Sequence, residues 1–319
     1  MREAIVVKNA GSHFELSELP EWKPFPALLR GKTRLSEGKS TNPVAVGDRV
    51  SYTLPDGMDS PEMVNELRPA IINDILPRRN HIIRRSTNLS RQSHVIAANI
   101  DQAILAVSLY FPEIKLAFLD RILVTCGVYH VPVIIALNKV DMYREHDLEG
   151  VENFKRIYSG AGYQVIETST LTGEGIDELR EACKGKVSLI SGESGVGKSS
   201  LIKCLDPNLR PKTGRISEAH LQGKHTTSLY EMYPICGGEG GFIIDTPGLR
   251  GFGLVNLEKE EIGKYFPEML LRADNCRFIP CTHTHEPRCA IKDALEAGEI
   301  SPERYNSYLG MLEEDKKFR

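Results

Sequence analysis

Ser191-Gly192-Glu193-Ser194-Gly195-Val196-Gly197-Lys198-Ser199-Ser200 decides the fold, because it contains Gly-x4-Gly-Lys-Ser between two ordered flanks. Val187–Ile190 before it are apolar enough for a buried strand, and Ser200–Leu205 after it continue as a helix. Strand, glycine loop and helix together make a phosphate loop. The glycines let successive backbone N–H groups curl around a polyphosphate, and the helix N-terminus adds partial positive charge. Lys198 would reach the outer phosphates, and Ser199 would place its hydroxyl on Mg²⁺. The bland alternative, a ligand-free βα turn, fits these flanks poorly.

Working outward, the chain has 319 residues, which predicts two or three domains. With 41% apolar and 26% charged residues, it has the composition of an ordinary soluble globular protein. A net charge of −3 carries no bulk footprint for nucleic acid, so any RNA contact must come from local patches. The first residues lack a signal-peptide pattern, and no apolar run approaches the ~18 residues of a membrane span. Seven cysteines, three of them between 276 and 289, argue against a disulfide framework and for a reducing cytoplasm with one metal site.

Residues 1–85 read as a small β domain. Short apolar runs at Ala4–Val7, Ala27–Leu29, Val44–Val46, Arg49–Tyr52 and Ala70–Leu76 alternate with turn residues. Five such strands fit an OB-type barrel, a common oligonucleotide-binding scaffold. Arg78, Arg79, Arg84 and Arg85 are either an RNA contact or a solvated linker. From about residue 88, strands alternate with helices, which predicts a mostly parallel sheet. Residues 208–229 read as a polar loop, and the chain is helical again after about 257. Ser301-Pro302 opens a last helix with a cap and a first-turn proline.

Asn138-Lys139-Val140-Asp141 follows the strand Val133–Leu137. Asp141 could accept hydrogen bonds from the ring N–H and exocyclic amino group of guanine, and adenine lacks that amino group. Lys139 would lie along the base, and Asn138 would tie this loop to the phosphate loop. A site built to pair those groups rejects the wrong base by leaving buried polar groups unpaired. Thr168-Ser169-Thr170-Leu171-Thr172-Gly173-Glu174-Gly175 follows another strand. Its backbone N–H groups, around Ser169 and Thr170, could meet the guanine carbonyl, although a plain N-capped loop explains it as well.

Asp245-x-x-Gly248 sits at a strand end; Asp245 would hold Mg²⁺ through water and the Gly248 N–H would sense the γ-phosphate. In Gly223-Lys224-His225-Thr226-Thr227 a threonine hydroxyl, Thr226 or Thr227, could complete the metal shell with GTP. These five elements belong to regulatory GTPases, but their order here is rotated. A circular permutation preserves the site when the original termini lie close together. The segment after Asp245 then leads directly into the C-terminal region. There, Cys276-x4-Cys281-x-His283-x5-Cys289 supplies three thiolates and an imidazole, a closed set suited to structural zinc. His285 is a competing ligand.

Over essentially its whole length the chain resembles the ribosome small-subunit-dependent GTPase A family, the circularly permuted GTPases of bacterial small-subunit assembly. The resemblance implies a multidomain protein: an OB-like RNA-binding domain (1–85), a permuted α/β GTPase domain (86–257) and a zinc-binding helical domain (258–319). It implies hydrolysis of GTP to GDP stimulated by the small (30S) ribosomal subunit, late in that subunit's maturation. Contacts of the first and last domains with 16S rRNA, a monomeric chain and a cytoplasmic location are expected with it. Leu249 stands where many GTPases carry a water-orienting glutamine, an apolar habit of the family. His225 matches a histidine proposed for that task, although a loop histidine is often an ordinary exposed residue. The competing readings are a large-subunit permuted GTPase, a small-molecule kinase and an RNA-binding module gated by nucleotide without turnover.

Overall fold

Alternating burial builds the first layer. In the computed structural model, which describes residues 2–30, 43–85, 93–209, 230–246 and 257–313, five strands begin the chain. They are β1 (Arg2–Ala10), β2 (His13–Ser17), β3 (Phe25–Leu29), β4 (Arg49–Thr53) and β5 (Ala70–Ile75). Phe14, Leu16, Phe25, Tyr52 and Ile72 point into one apolar core. A register shift between Val6 and Lys8 in β1 lets consecutive Val6 and Val7 both be buried, as a bulge allows. Pairings β1–β2, β2–β3, β3–β5, β5–β4 and β4–β1 close the ring, with β3–β5 parallel. Closure leaves no free sheet edge within the ring, and the topology is that of an OB barrel.

Two details differ from the sequence reading. The apolar run Val44–Val46 is not a strand; it leads into a turn held by Asp48, whose carboxylate accepts from Ala45 N at 2.7 Å. The missing strand is β2, where His13 and Glu15 mask the inward Phe14 and Leu16. Arg78 is not a linker charge either. Its Nε donates to Asp48 Oδ1 at 2.7 Å and its Nη2 to Asp48 Oδ2 at 2.7 Å, and the Asp48 side chain is fully buried. Arg79 pairs with Asp101 at 2.6 Å.

The chain continues through β6 (His81–Arg85), β7 (Ser93–Ala98), β8 (Gln102–Val107), α1 (Leu116–Val128), β9 (Val133–Asn138), α2 (Val140–Tyr143) and α3 (Leu148–Gly160). Then follow β10 (Gln164–Thr168), α4 (Ile176–Cys183), β11 (Val187–Gly192), α5 (Lys198–Leu205), β12 (Tyr230–Pro234) and β13 (Phe242–Asp245). A 3-10 segment (Lys259–Tyr265) precedes α6 (Pro267–Ala273), α7 (Ala290–Glu296) and α8 (Pro302–Glu313). Two compact units divide these elements. One takes the described residues of Met1–Ala103, Ile176–Gly192 and Lys198–Gly251; the other takes those of Ile104–Gly175, Glu193–Gly197 and Phe252–Arg319.

In the first unit, β6 and β7 form an antiparallel pair. β11 and β13 pair in parallel, and β12 runs antiparallel to β13. β12 also pairs with β1 of the barrel at Lys8↔Glu231, so one strand serves both layers. In the second unit, β9 and β10 are parallel neighbours from Ile134↔Gln164 to Asn138↔Thr168. The near-continuous burial of β8 and β9 is that of parallel strands covered on both sides. Each sequence motif stands where a strand ends: Asn138 on β9, Thr168 on β10, Gly192 on β11 and Asp245 on β13. Open α/β sheets bind ligands at such carboxyl ends.

Also in the second unit, Val124 of α1 packs into an apolar cluster with Ile262, Phe266, Met269, Ile291, Tyr308 and Met311. Through this cluster runs a buried ion triad. Arg304 of α8 donates from Nη1 to Asp120 of α1 at 2.7 Å and from Nε to Glu268 of α6 at 2.7 Å. Its guanidinium lies 4.5 Å from the Phe266 ring centroid. Burial pushes the Asp120 carboxyl upward, against the pull of Arg304. A pair taken out of water like this contributes little net stability, but losing one partner strands the others. Arg304→Met is therefore expected to destabilise the protein by about 3–5 kcal/mol, read as a lower denaturant midpoint, because two buried carboxylates remain uncompensated. An unchanged midpoint would contradict this role.

Candidate functional site

The second unit assembles the residues around the Asn-Lys-Val-Asp motif. Asn138, the last residue of β9, is fully buried. Its Nδ2 donates to the Val196 carbonyl at 2.8 Å, the tie to the phosphate loop expected of it. Its Oδ1 accepts from Thr168 Oγ1 at 3.1 Å, and its backbone carbonyl accepts from the Tyr143 hydroxyl at 2.5 Å. Lys139 turns the chain into α2 with φ 67°, a left-handed conformation costly for lysine and concentrated at functional sites. Its Nζ donates to Gly195 O at 2.7 Å and to Phe111 O. Val140 is buried, and Asp141 lies in the first turn of α2, partly exposed.

Beside it, the loop after β10 is organised by Ser169. The Ser169 hydroxyl accepts from Leu171 N at 3.2 Å and Thr172 N at 3.1 Å, and Ser169 N donates to Glu174 O at 3.0 Å. Thr170 is partly exposed in that turn. Gly175 has φ 68°, and a Cβ there would meet Glu167 O at 1.8 Å, so glycine is obligatory. Arg144 braces the loop through Glu174 at 2.5 Å and through Glu167. Sequence reasoning missed Arg144 and the Phe111 contact, because neither partner is near in the chain.

The phosphate loop itself crosses the division. Glu193–Gly197 belong with the Asn138 unit, while Gly192, Lys198 and the helix belong with the other. Val196 is buried; Ser194, Gly195 and Ser200 are exposed, and Ser199 is partly so. At Gly197 (φ 97°) a Cβ would lie 2.4 Å from Asn138 Nδ2, so the close approach of the two motifs requires glycine. In the first unit, Lys198 Nζ forms an ion pair with Asp245 Oδ1 at 2.9 Å and donates to Thr246 O. Thr246 Oγ1 donates to Ile190 O at 3.0 Å, joining the ends of β11 and β13. The Lys198 ammonium can bind an anion, and the Asp245 carboxylate can bind a hydrated cation. His225, Thr226, Thr227, Gly248 and Leu249 lie outside the described residues.

At the C-terminal end, the donor atoms of Cys276, Cys281, His283 and Cys289 all lie within 4.8 Å of one another. Cys276 Sγ is 3.9 Å from Cys289 Sγ, and His283 Nδ1 is 3.6 Å and 3.4 Å from those sulfurs. Zinc bonds of about 2.3 Å to sulfur and about 2.05 Å to nitrogen give tetrahedral edges of about 3.8 Å and about 3.5 Å, which the separations among Cys276, His283 and Cys289 match. His285 is not among these four donors. Burial pushes the Cys281 thiol up to about 12 and lowers His283, which keeps the imidazole neutral and able to ligate. A dication held by Cys276, Cys281, His283 and Cys289 would offset the thiol shift by stabilising thiolate. Tyr305 Oη donates to His283 O at 2.6 Å and Tyr308 Oη to Thr282 O at 2.7 Å, so α8 fixes this loop.

A phosphate loop, a guanine-type tetrapeptide and an Asp at the next strand end, in rotated chain order behind an OB barrel, define a circularly permuted P-loop GTPase. The comparisons agree. Residues 75–255 match the sequence family described as RsgA GTPase. The small ribosomal subunit biogenesis GTPase RsgA of Bacteroides fragilis is 46% identical over 99% of both chains, and that of Christiangramia forsetii is 42% identical over 99% of this chain and 98% of its own. The crystal structure of YjeQ from Thermotoga maritima is 34% identical with a TM-score of 0.76, covering 98% of this chain and 97% of that one. YloQ, a circularly permuted GTPase, is 26% identical with a TM-score of 0.74, covering 100% and 96%. The chain belongs to the RsgA GTPase family and is a GTP hydrolase.

Replacing Asn138 by Ala removes the donor to Val196 and the acceptor for Thr168. Leaving those buried groups unpaired is expected to cost about 1–3 kcal/mol without any nucleotide. Denaturant melts and faster amide exchange across 193–197 would reveal it; wild-type exchange in that segment would refute it.

Proposed function

We propose that this protein binds guanine nucleotide on its phosphate loop and serves the maturation of the small ribosomal subunit, its GTP turnover accelerated by that subunit. The observation that carries this reading is the Asn138–Val196 hydrogen bond, which joins the Asn-Lys-Val-Asp tetrapeptide to the phosphate loop of an RsgA-family chain. Asp141 takes the guanine edge, with Lys139 along the base and the Ser169–Thr170 turn at its carbonyl. The amides of Gly192–Ser200 and the Lys198 ammonium take the phosphates. Ser199 and Asp245, with Thr226 or Thr227, would hold Mg²⁺, which neutralises charge on the outer phosphate oxygens. The Lys198–Asp245 ion pair supports this assignment, because phosphate and Mg²⁺ are the natural replacements for each partner. Gly248 reports the γ-phosphate, and His225 orients the attacking water in place of a side chain at Leu249.

The three-domain reading assigns rRNA contact to residues 1–85 and 258–319 and hydrolysis to 86–257. Zinc on Cys276, Cys281, His283 and Cys289 is structural, since four protein ligands leave no position for substrate water. Among the described residues no helix is long and apolar enough to cross a membrane. A monomer working on 16S rRNA in the cytoplasm fits the reading.

Phosphate release with purified small subunits, large subunits or neither tests it. Small subunits are expected to stimulate turnover, and large subunits not. His225→Ala should cut the stimulated rate by about 10²-fold or more, the usual worth of a positioned acid–base group. Equal stimulation by both subunits would refute the partner. Full stimulated activity in the variant would refute the role of His225.

A further inference from the structure

Between Cys276 and Cys281 the chain reads Arg277-Phe278-Ile279-Pro280, and every one of these residues is exposed, Ile279 by 82% and Phe278 by 43%. A single exposed apolar side chain needs no explanation. This group has three further properties. Both its ends are fixed, because Cys276 and Cys281 belong to the four-donor cluster, so the knuckle is preorganised and loses little entropy when it binds. The Arg277 guanidinium lies over the Phe278 ring, 5.7 Å from its centroid, a cation on one face of a part-exposed aromatic. Arg277 N donates to Arg288 O at 3.2 Å, which brings a second exposed arginine to the same place.

Neither arginine has a carboxylate partner among the described residues, whereas Arg272 and Arg304 of the same unit do. The nearby Glu286 is committed to Thr282 and Thr284, accepting at 2.7 Å and 3.0 Å from their N–H groups. Those hydrogen bonds, working against burial, hold its carboxyl down at about 2. One guanidinium over an exposed ring, and a second arginine joined to it through the backbone, neither with a carboxylate partner, suit a nucleotide: the phosphate answers the charge, and the base answers the π-face. An apolar protein surface would desolvate both cations without compensation. A-form duplex RNA keeps its bases stacked inside and leaves the ring nothing to stack on.

We propose that the Arg277–Pro280 knuckle, with Arg288, takes an unpaired nucleotide of RNA. The base stacks on Phe278 beside Arg277, Ile279 packs against its neighbour, and Arg288 meets the adjoining phosphate. This deepens the rRNA reading above and rests on it, naming the residues and the state of the RNA they select.

Anisotropy titrations of the full-length, zinc-bound protein with a labelled oligoadenylate and with a short RNA duplex test the proposal. The single strand is expected to bind more tightly. Phe278→Ala should weaken it about 5- to 100-fold and Phe278→Tyr should restore it, the range for one lost base–aromatic stack. Arg288→Ala should lower the slope of log K against log salt by about one. Zinc content, circular dichroism and intrinsic GTP turnover should match the parent in all three variants. Parent-like oligoadenylate binding by Phe278→Ala, or a preference of the parent for duplex, overturns the proposal. Loss of small-subunit association by Phe278→Ala with intact oligoadenylate binding also overturns it, in favour of a protein contact. Failure of small subunits to stimulate the parent would instead refute the functional reading, and the oligoadenylate titration would still judge the knuckle.

Discussion

One buried hydrogen bond, from the Asn138 side-chain amide to the Val196 carbonyl, holds the Asn-Lys-Val-Asp motif to the phosphate loop. It forms only if β9 ends at Asn138 with its side chain turned inward, if Thr168 at the end of β10 occupies the other side of the amide, and if residue 197 carries no Cβ. The bond spans 58 residues of chain and runs from the earlier motif to the later one. Its geometry is indifferent to which motif comes first, so a permuted chain keeps the site so long as the parallel strands keep their neighbours.

Permutation does change what the site is attached to. Asp245 and Thr246 lie at the end of β13, and the chain reaches Leu257 of the C-terminal apolar cluster after the ten residues 247–256, which lie outside the described residues. That cluster is joined to α1 by Val124 and by the Arg304 triad. The C-terminal segment is therefore anchored to the helix that follows β8 as well as tethered behind Asp245. The buried ions give the segment one packed arrangement on α1.

What was legible in the sequence was local. Gly197 and Gly175 carry positive φ where a Cβ would strike a neighbour, and a glycine directly before a helix is visible without any structure. The buried runs of β8, β9 and β11 read directly, as did the metal-type spacing from Cys276 to Cys289. What stayed hidden depends on distant partners or short elements. The partner of Arg304, Asp120, lies 184 residues earlier, beyond the reach of any local pattern. Arg78 reads as an RNA contact or a linker cation until Asp48 is found buried against it. β2 carries few inward apolar residues, and β12 buries only Met232, so neither produces a periodic signal strong enough to stand alone.

The account depends on one nucleotide meeting both Asp141 and the amides of the phosphate loop. A crystal structure of the protein with GDP and Mg²⁺ tests this most directly. The account expects the Asp141 carboxylate within hydrogen-bond distance of the guanine ring N–H and amino group, with the β-phosphate on the amides between Glu193 and Ser199. A guanine bound away from Asp141, with its phosphates still on the loop, would contradict it.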